Sequence, residues 1–148
     1  MAKLSIRTGE WVVVCDGAKA LVFENAGDEE FPNLKTREVY EQEVPMTSEQ
    51  GADAPGRAIN SVGAQRSAVQ QTDWHELQES RFLRRLVSRL EAAVEARATA
   101  SIIMVAPPRA LGIIRQLYSS NLRAALRAEI DKDLVKLPVH EIERHLAA

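Results

Sequence analysis

The hydrophobic and polar positions in the first third of the chain follow the pattern of β-strands. The segment WVVVCDGAKALVFEN holds two apolar runs on either side of Asp16-Gly17. An Asp-Gly pair between such runs predicts a hairpin, because the favoured two-residue turn needs a positive φ at both positions. After a turn region from Asn25 to Asn33, LKTREVYEQEV alternates charged and apolar residues, which predicts a third, half-exposed strand. Together these segments predict an antiparallel β-meander.

Hydrophobic periodicity then disappears over residues 45–72, which are punctuated by Gly51, Pro55, Gly56 and Gly63. Loops longer than about 12–15 residues are uncommon inside compact domains and are often functional or disordered. We therefore expect a long loop at about 45–72. It is either a functional loop or a tolerated insertion.

A long amphipathic helix is predicted next. Asp73, with Glu76 three residues later, fits a capping box, so the helix is expected from about Trp74 to Arg97. Its apolar residues recur at helical spacing and predict a core-facing stripe. The stripe consists of Phe82, Leu83, Leu86, Val87, Leu90, Ala93 and Val94.

The remaining residues alternate between strand and helix patterns. SIIMVA is apolar on both faces, as a central strand should be, and Pro107-Pro108 ends it and opens the next helix. RALGIIRQLYSSNL continues as helix, with a break at Ser119-Ser120-Asn121. ALRAEIDKDL fits either a helical extension or an edge strand, and the strand is favoured because it completes a coherent fold. Pro138 opens the last short helix, PVHEIERHL.

These elements predict one α/β domain over residues 1–148. The domain has three layers, in which helices pack on a mixed sheet that begins with an antiparallel meander. A chain of 148 residues with 45% apolar and 27% charged residues is typical of a single globular domain.

The net charge of −2 gives no global attraction to nucleic acid, so any RNA contact would depend on a local basic patch. Arg81, Arg85 and Arg89 form such a patch as an i, i+4 row on the long helix, with Arg84 beside them. This row is either a solvated face or a surface for phosphate groups.

Most catalytic and metal-binding motifs are missing from the sequence. His140 and His145 are five residues apart and do not share a helix face as a metal-binding pair would. The lone Cys15 lies in an apolar run and reads as a core residue. Asp16 at a strand end would suit a metal nuclease, but the Asp-Gly turn explains it and the sequence places no partner carboxylates. We expect no metal and no cofactor.

Targeting signals also shape the expected location. The N-terminal segment MAKLSIRTGEW lacks the apolar run of a signal peptide, and SIIMVA is too short to cross a membrane. A cytoplasmic protein with no membrane partner is therefore expected.

Several stretches together resemble a known family. In chain order they are VVVCDGAKALVF, GR…NSVGAQRSAV, RFLRRLVSRL, MVAPPRALGIIRQ and EIDKDLVKLPVHEIERHL. They resemble the bacterial host-attachment protein family over nearly the whole chain, most specifically in APPR-x-LG and KDL-x-KLP-x-HEIE-x-HL. That family is similar to the middle domain of archaeo-eukaryotic class I peptide release factors, which has a ribonuclease-H-like fold. In those factors a Gly-Gly-Gln loop promotes hydrolysis of peptidyl-tRNA.

The resemblance implies roles for individual residues. Gly63 matches the first glycine of that motif, and Gln65 matches the glutamine that would position a water molecule. Ala64 replaces the second glycine, and because alanine at positive φ costs roughly 1 kcal/mol relative to glycine, efficient hydrolysis is not expected. The residues that would contact RNA phosphates are Arg57, Arg66, Arg81, Arg84 and Arg85.

Two functions follow from these expectations. The first is a ribosome- or RNA-associated factor that resembles the release-factor domain. The alternative is a non-enzymatic interaction protein, with a protein partner, that is required for attachment to host cells.

Overall fold

The computed structural model describes residues 4–42 and 61–147, and over residues 61–73 it describes the backbone alone. The strands are β1 (Trp11–Cys15), β2 (Lys19–Asn25), β3 (Leu34–Glu41), β4 (Ile102–Ala106) and β5 (Leu126–Asp131). The helices are α1 (Ser61–Glu95), α2 (Pro108–Arg115), α3 (Ser120–Ala125) and α4 (Val139–Ala147).

The strands form one five-stranded mixed sheet in the order β3-β2-β1-β4-β5. The β1–β2 and β2–β3 pairs are antiparallel, whereas the β1–β4 and β4–β5 pairs are parallel. All five residues of β1 and of β4 are buried, as their continuous apolar sequences predict for strands covered on both faces. The predicted α/β class and the initial meander are confirmed, and the segment that was ambiguous between helix and strand forms β5.

Helices cover both faces of the sheet, which gives the three predicted layers. On one face, Val13 and Met104 pack with Leu86 of α1 and Ile114 of α2. On the opposite face, Val12, Ile103 and other buried strand residues pack with Ile142 and Leu146 of α4. Each fully buried aliphatic side chain of this kind stabilises the fold by about 1.5–3 kcal/mol.

A bulge in β3, where it pairs with β2, allows side chains of this one strand to pack into the cores on both faces of the sheet. The register shifts between Val22 and Phe23, so that Tyr40 lies opposite Ala20 while Leu34 lies opposite Asn25. Leu34 belongs to the core beneath α4, whereas Tyr40 packs against the core beneath α1. The bulge reverses the alternation of side chains, and for this reason two residues six positions apart face opposite sides of the sheet.

The start of the long helix differs from its prediction. α1 begins at Ser61, so Asp73 lies inside the helix and does not cap it. Residues 61–72 carry no apolar stripe, but alanine, glutamine and arginine, which a helix accepts at little cost, make up half of them. The expectation of a loop was therefore wrong for residues 61–72. Residues 45–60 of that predicted loop lie outside the described part of the chain.

The boundaries later in the chain agree with the sequence. Pro107 precedes α2, and the predicted break at Ser119 separates α2 from α3. The Ser119 hydroxyl accepts a hydrogen bond from the backbone N–H of Leu122 at 3.1 Å, which is an ordinary N-cap. Pro138 comes directly before α4, as predicted.

Candidate functional site

Three of the arginines predicted to bind phosphate lie together on the outer face of α1. Arg81, Arg84 and Arg85 are exposed, and Arg89 extends the same surface by one helical turn. The helical period places these residues opposite the buried stripe that packs on the sheet. We call the four residues the arginine face.

The arginine face differs in its pairing from several arginines of the protein, although Arg7, Arg97 and Arg123 also lack a described carboxylate within 4.0 Å. Arg37, Arg115 and Arg127 each hold a carboxylate, at 2.7, 2.8 and 2.5 Å respectively. By contrast, no carboxylate of residues 4–42 and 74–147 lies within 4.0 Å of an arginine-face guanidinium nitrogen. Within that part of the chain, the face is a positive surface whose guanidinium groups form no ion pair, and Glu41 lies across a groove from two of them.

A groove runs between α1 and the edge strand β3. Arg85 and Arg89 line it from the helix, and Val39, Tyr40 and Glu41 line it from the strand. Its floor is apolar, formed by Phe82 and Leu86. The groove encloses about 260 Å³. We call it the α1–β3 groove.

Tyr40 and Arg89 contact each other across this groove. The guanidinium carbon of Arg89 lies 5.1 Å from the centroid of the Tyr40 ring, within the range of a cation–π interaction. Burial raises the pKa of the Tyr40 hydroxyl, and Glu38 raises it further, while Arg89 opposes both effects. The Tyr40 hydroxyl is therefore uncharged at physiological pH, and the ring forms one side of the α1–β3 groove.

A second exposed feature lies at the opposite end of β3, in the turn that precedes it. The side chain of Phe31 is 73% exposed. Phe31 directly follows three acidic residues in a short loop. The Asp28 carboxylate accepts hydrogen bonds from the backbone N–H groups of Glu30 at 2.9 Å and Phe31 at 2.6 Å. We call residues Asp28–Phe31 the Phe31 loop.

Asn25 holds this loop in place from inside the protein. Only 1% of Asn25 is exposed. Its amide donates to the carbonyls of Ile6 and Asp28 at 2.9 and 3.3 Å, and its carbonyl oxygen accepts from Gly27 and Asn33 at 2.9 and 2.8 Å. The Phe31 loop is thus held by partly buried hydrogen bonds from the buried Asn25 side chain while it presents an aromatic ring to solvent.

The residues of the predicted glutamine motif occupy the first turns of α1. Gly63, Gln65 and Arg66 have helical backbone, and their side chains are outside the description, as is all of Arg57. At 1.5 Å per residue, Gln65 lies about 24 Å along the helix axis from Arg81. The helix therefore carries both the motif and the arginine face but does not bring them together. The catalytic role of Gln65 stays a prediction.

The candidate metal and nucleophile residues have structural explanations. Asp16 accepts hydrogen bonds from the backbone N–H groups of Ala18 and Lys19 at 2.8 and 2.9 Å, so it holds the turn of the predicted hairpin. The predicted turn type was wrong, because neither Asp16 nor Gly17 has the positive φ that the two-residue turn requires. Cys15 is fully buried, and burial together with nearby Asp16 raises the pKa of its thiol to about 12. Among the side chains of residues 4–42 and 74–147, no group of three or more histidine, cysteine, aspartate or glutamate residues is placed to hold a metal ion.

Sequence reasoning missed two features of these surfaces. It did not connect Tyr40 to the arginine row, because contact between a strand and a helix so distant in sequence has no local signature. It also treated residues 25–33 as an ordinary turn. The run Asp28-Glu29-Glu30-Phe31, an aromatic directly after three acids in a turn, was the signal that would have identified an exposed feature.

The mixed sheet with helices on both faces makes this an α/β protein, and the arginine face gives it an exposed cationic surface. Residues 11–146 match the family model described as protein required for attachment to host cells. Since this match spans nearly the whole chain, the protein belongs to that family. A search of curated proteins finds no match. None of the helices in the described part of the chain combines the length and apolar composition that a membrane crossing requires.

Proposed function

We propose that this protein acts in attachment to host cells through non-enzymatic binding, with a protein as its partner. The observation that carries this proposal is the family match over residues 11–146. A binding role also suits the exposed residues. Arginine and aromatic side chains are enriched in protein interfaces, and the outer surface of α1 combines the arginine face with Trp74, which is 44% exposed.

A deletion strain tests the proposal directly. Loss of the gene should reduce adherence of the bacteria to host cells, and a plasmid copy should restore it. Adherence that is unchanged by deletion would reject the attachment role.

Fractionation of the bacteria separates two ways in which attachment could depend on this protein. Protein at the cell surface supports direct binding to the host. Protein confined to the cytoplasm, the location that we propose from the sequence, supports an indirect effect through a bacterial partner.

A second candidate is a ribosome- or RNA-associated factor, and the arginine face is the observation that favours it. Four exposed arginines on one helix suit phosphate groups, which arginine binds in a bidentate manner. In this proposal Arg57 and Arg66 add further phosphate contacts, and Gln65, preceded by Gly63, positions a water molecule against peptidyl-tRNA.

Ribosome co-sedimentation at low and high salt tests this second candidate. Binding through phosphates should weaken as salt rises, because bound counterions are released on association. Arg81→Glu with Arg84→Glu should abolish co-sedimentation, whereas Arg144→Glu on α4 should leave it unchanged. Absence of binding at low salt would exclude the candidate. Release of nascent chains by wild type but not by Gln65→Ala would establish the catalytic role.

A further inference from the structure

The Phe31 loop has the properties of a preformed binding element. Its aromatic ring is 73% exposed, yet the loop is held by the buried side chain of Asn25 and by the Asp28 carboxylate. A Cβ at Gly27 would lie 2.2 Å from the carbonyl oxygen of Phe31, so this position requires glycine for close packing of the loop. A rigid loop loses little conformational entropy on binding.

The α1–β3 groove offers complementary chemistry on the same protein. Its volume of about 260 Å³ exceeds the roughly 150 Å³ that suffices to hold a benzene-sized ring. Tyr40, Phe82 and Leu86 provide apolar and aromatic surface, while Arg85 and Arg89 provide positive charge. Glu41 is the acidic residue of the lining, and the two arginines outweigh it.

The two features cannot meet within one chain. The Phe31 loop precedes the first residue of β3, whereas Val39, Tyr40 and Glu41 lie at the end of that strand. The length of β3 separates them by about 24 Å, at 3.4 Å per residue. An acidic loop at one end of a strand and a basic groove at the other can be joined only between molecules.

We propose that the Phe31 loop of one copy docks in the α1–β3 groove of a second copy of this protein. The Phe31 ring lies against Tyr40 and the apolar floor, and the carboxylates of Glu29 and Glu30 lie beside Arg85 and Arg89. Opposite charges that meet in this way favour the correct orientation and speed association. Self-association thus supplies the carboxylates that the described part of the chain does not bring to the arginine face.

The proposed contact is made by side chains. It does not involve backbone pairing between the edge strands of two molecules. The edge strand β3 contains a bulge and exposes Lys35, Arg37 and Glu38. Bulges and charged side chains on an edge are devices by which proteins prevent sheet-to-sheet association. The loop and the groove lie outside that protected stretch, one at each end.

Charge reversal tests the proposal on the full chain. Wild type should show a concentration-dependent rise above the monomer mass of 16.4 kDa in sedimentation equilibrium. The loop variant Glu29→Arg with Glu30→Arg should be monomeric, and so should the groove variant Arg85→Glu with Arg89→Glu, because each places like charges in contact. Mixing the two variants should restore association, since each then offers the charge that the other lacks.

Further variants separate the contact from unrelated charge effects. Phe31→Ser should weaken association by about tenfold or more without altering the fold, because removal of an interface aromatic anchor commonly has an effect of this size. The matched control Lys136→Glu with Arg144→Glu reverses two charges near α4 and should associate like wild type. A monomeric wild type at millimolar concentration overturns the proposal. Association that survives in either reversal variant, or that mixing does not restore, overturns it as well.

Discussion

The buried Glu10 and the partly buried Arg127 form an ion pair that joins the start of β1 to β5. The Arg127 Nε lies 2.5 Å from Oε2 of Glu10, and its Nη2 lies 2.8 Å from Oε1. The carboxylate is 2% exposed and also accepts hydrogen bonds from the Ser101 hydroxyl at 2.5 Å and the Arg7 backbone N–H at 2.9 Å. Arg127 donates in addition to the carbonyl of Ser5. One carboxylate therefore fixes the ends of three strands and the segment before β1.

Removal of Arg127 should strongly destabilise the fold. Arg127→Ala leaves the Glu10 carboxylate buried and without its cation, which in similar pairs costs about 3–5 kcal/mol of the free energy of unfolding. Urea denaturation measures this change. The control Arg144→Ala breaks an exposed pair with Glu141, at 3.4 Å, and should cost less than about 1 kcal/mol. Equal costs for the two variants would contradict the structural role of Glu10–Arg127.

The Glu10–Arg127 pair should make the free energy of unfolding depend on pH in the acidic range. Burial raises the pKa of Glu10, but hydrogen bonds from Arg127, Ser101 and Arg7 outweigh burial and leave the pKa below its ordinary value of 4.5. A carboxyl group with a lowered pKa in the folded state stabilises the fold above its unfolded pKa, and this contribution is lost as the pH falls through the folded pKa.

A comparison with Glu10→Gln isolates this effect, because the other carboxylates titrate alike in both proteins. The excess stability of wild type should be complete at neutral pH and should shrink below pH 4.5, as measured by urea denaturation across the pH range. If the difference in unfolding free energy between wild type and Glu10→Gln does not change with pH, the charge of Glu10 is not the source of the extra stability.

The thiol of Cys15 should be unreactive in the folded protein. Burial raises its pKa to about 12, with a further contribution from Asp16, and the side chain has no exposed surface. Because the thiolate is the reacting species, alkylation by iodoacetamide should occur only through unfolding. Mass spectrometry should show labelling that increases in parallel with the urea-unfolded fraction. Rapid labelling of native protein would mean that β1 opens locally.

Loss of the Asn25 side chain should destabilise the protein and loosen the Phe31 loop. Asn25→Ala leaves the partly buried backbone N–H groups of Gly27 and Asn33 without their acceptor, and each such loss costs up to the roughly 1–3 kcal/mol of a fully buried unsatisfied group. A neighbouring control is Asn33→Ala, since the exposed Asn33 takes part in this network through its backbone N–H. Thermal unfolding should separate the two variants by several degrees, with wild type and Asn33→Ala close together.

The fold was largely predictable because its strongest signals are local. Several elements are determined within a few residues of sequence. Examples are the apolar runs of β1 and β4, the hairpin turn at Asp16-Gly17 and the proline before α4. The start of α1 was missed since residues 61–72 lack an apolar stripe, and the Asp73–Glu76 pair imitated a capping box inside a helix. A local pattern cannot reveal that a helix continues beyond the part that packs on the core.

The candidate site was less predictable, because it depends on contacts between distant segments. The arginine row could be read from its spacing, and the structure exposes it as one surface. Its neighbour Tyr40 comes from a strand about 45 residues earlier in the chain, at a position set by sheet pairing rather than by sequence spacing. The likeness to release factors stays a prediction.

The bulge in β3 has a consequence for changes in chain length. Leu34 and Tyr40 face opposite cores only because one extra residue, at Arg37, lies between their two paired stretches. Deletion of Arg37 would restore regular alternation and turn either the leucine or the tyrosine away from its core. A strand whose side chains are mostly exposed is thus tolerant of substitution but intolerant of a single-residue insertion or deletion.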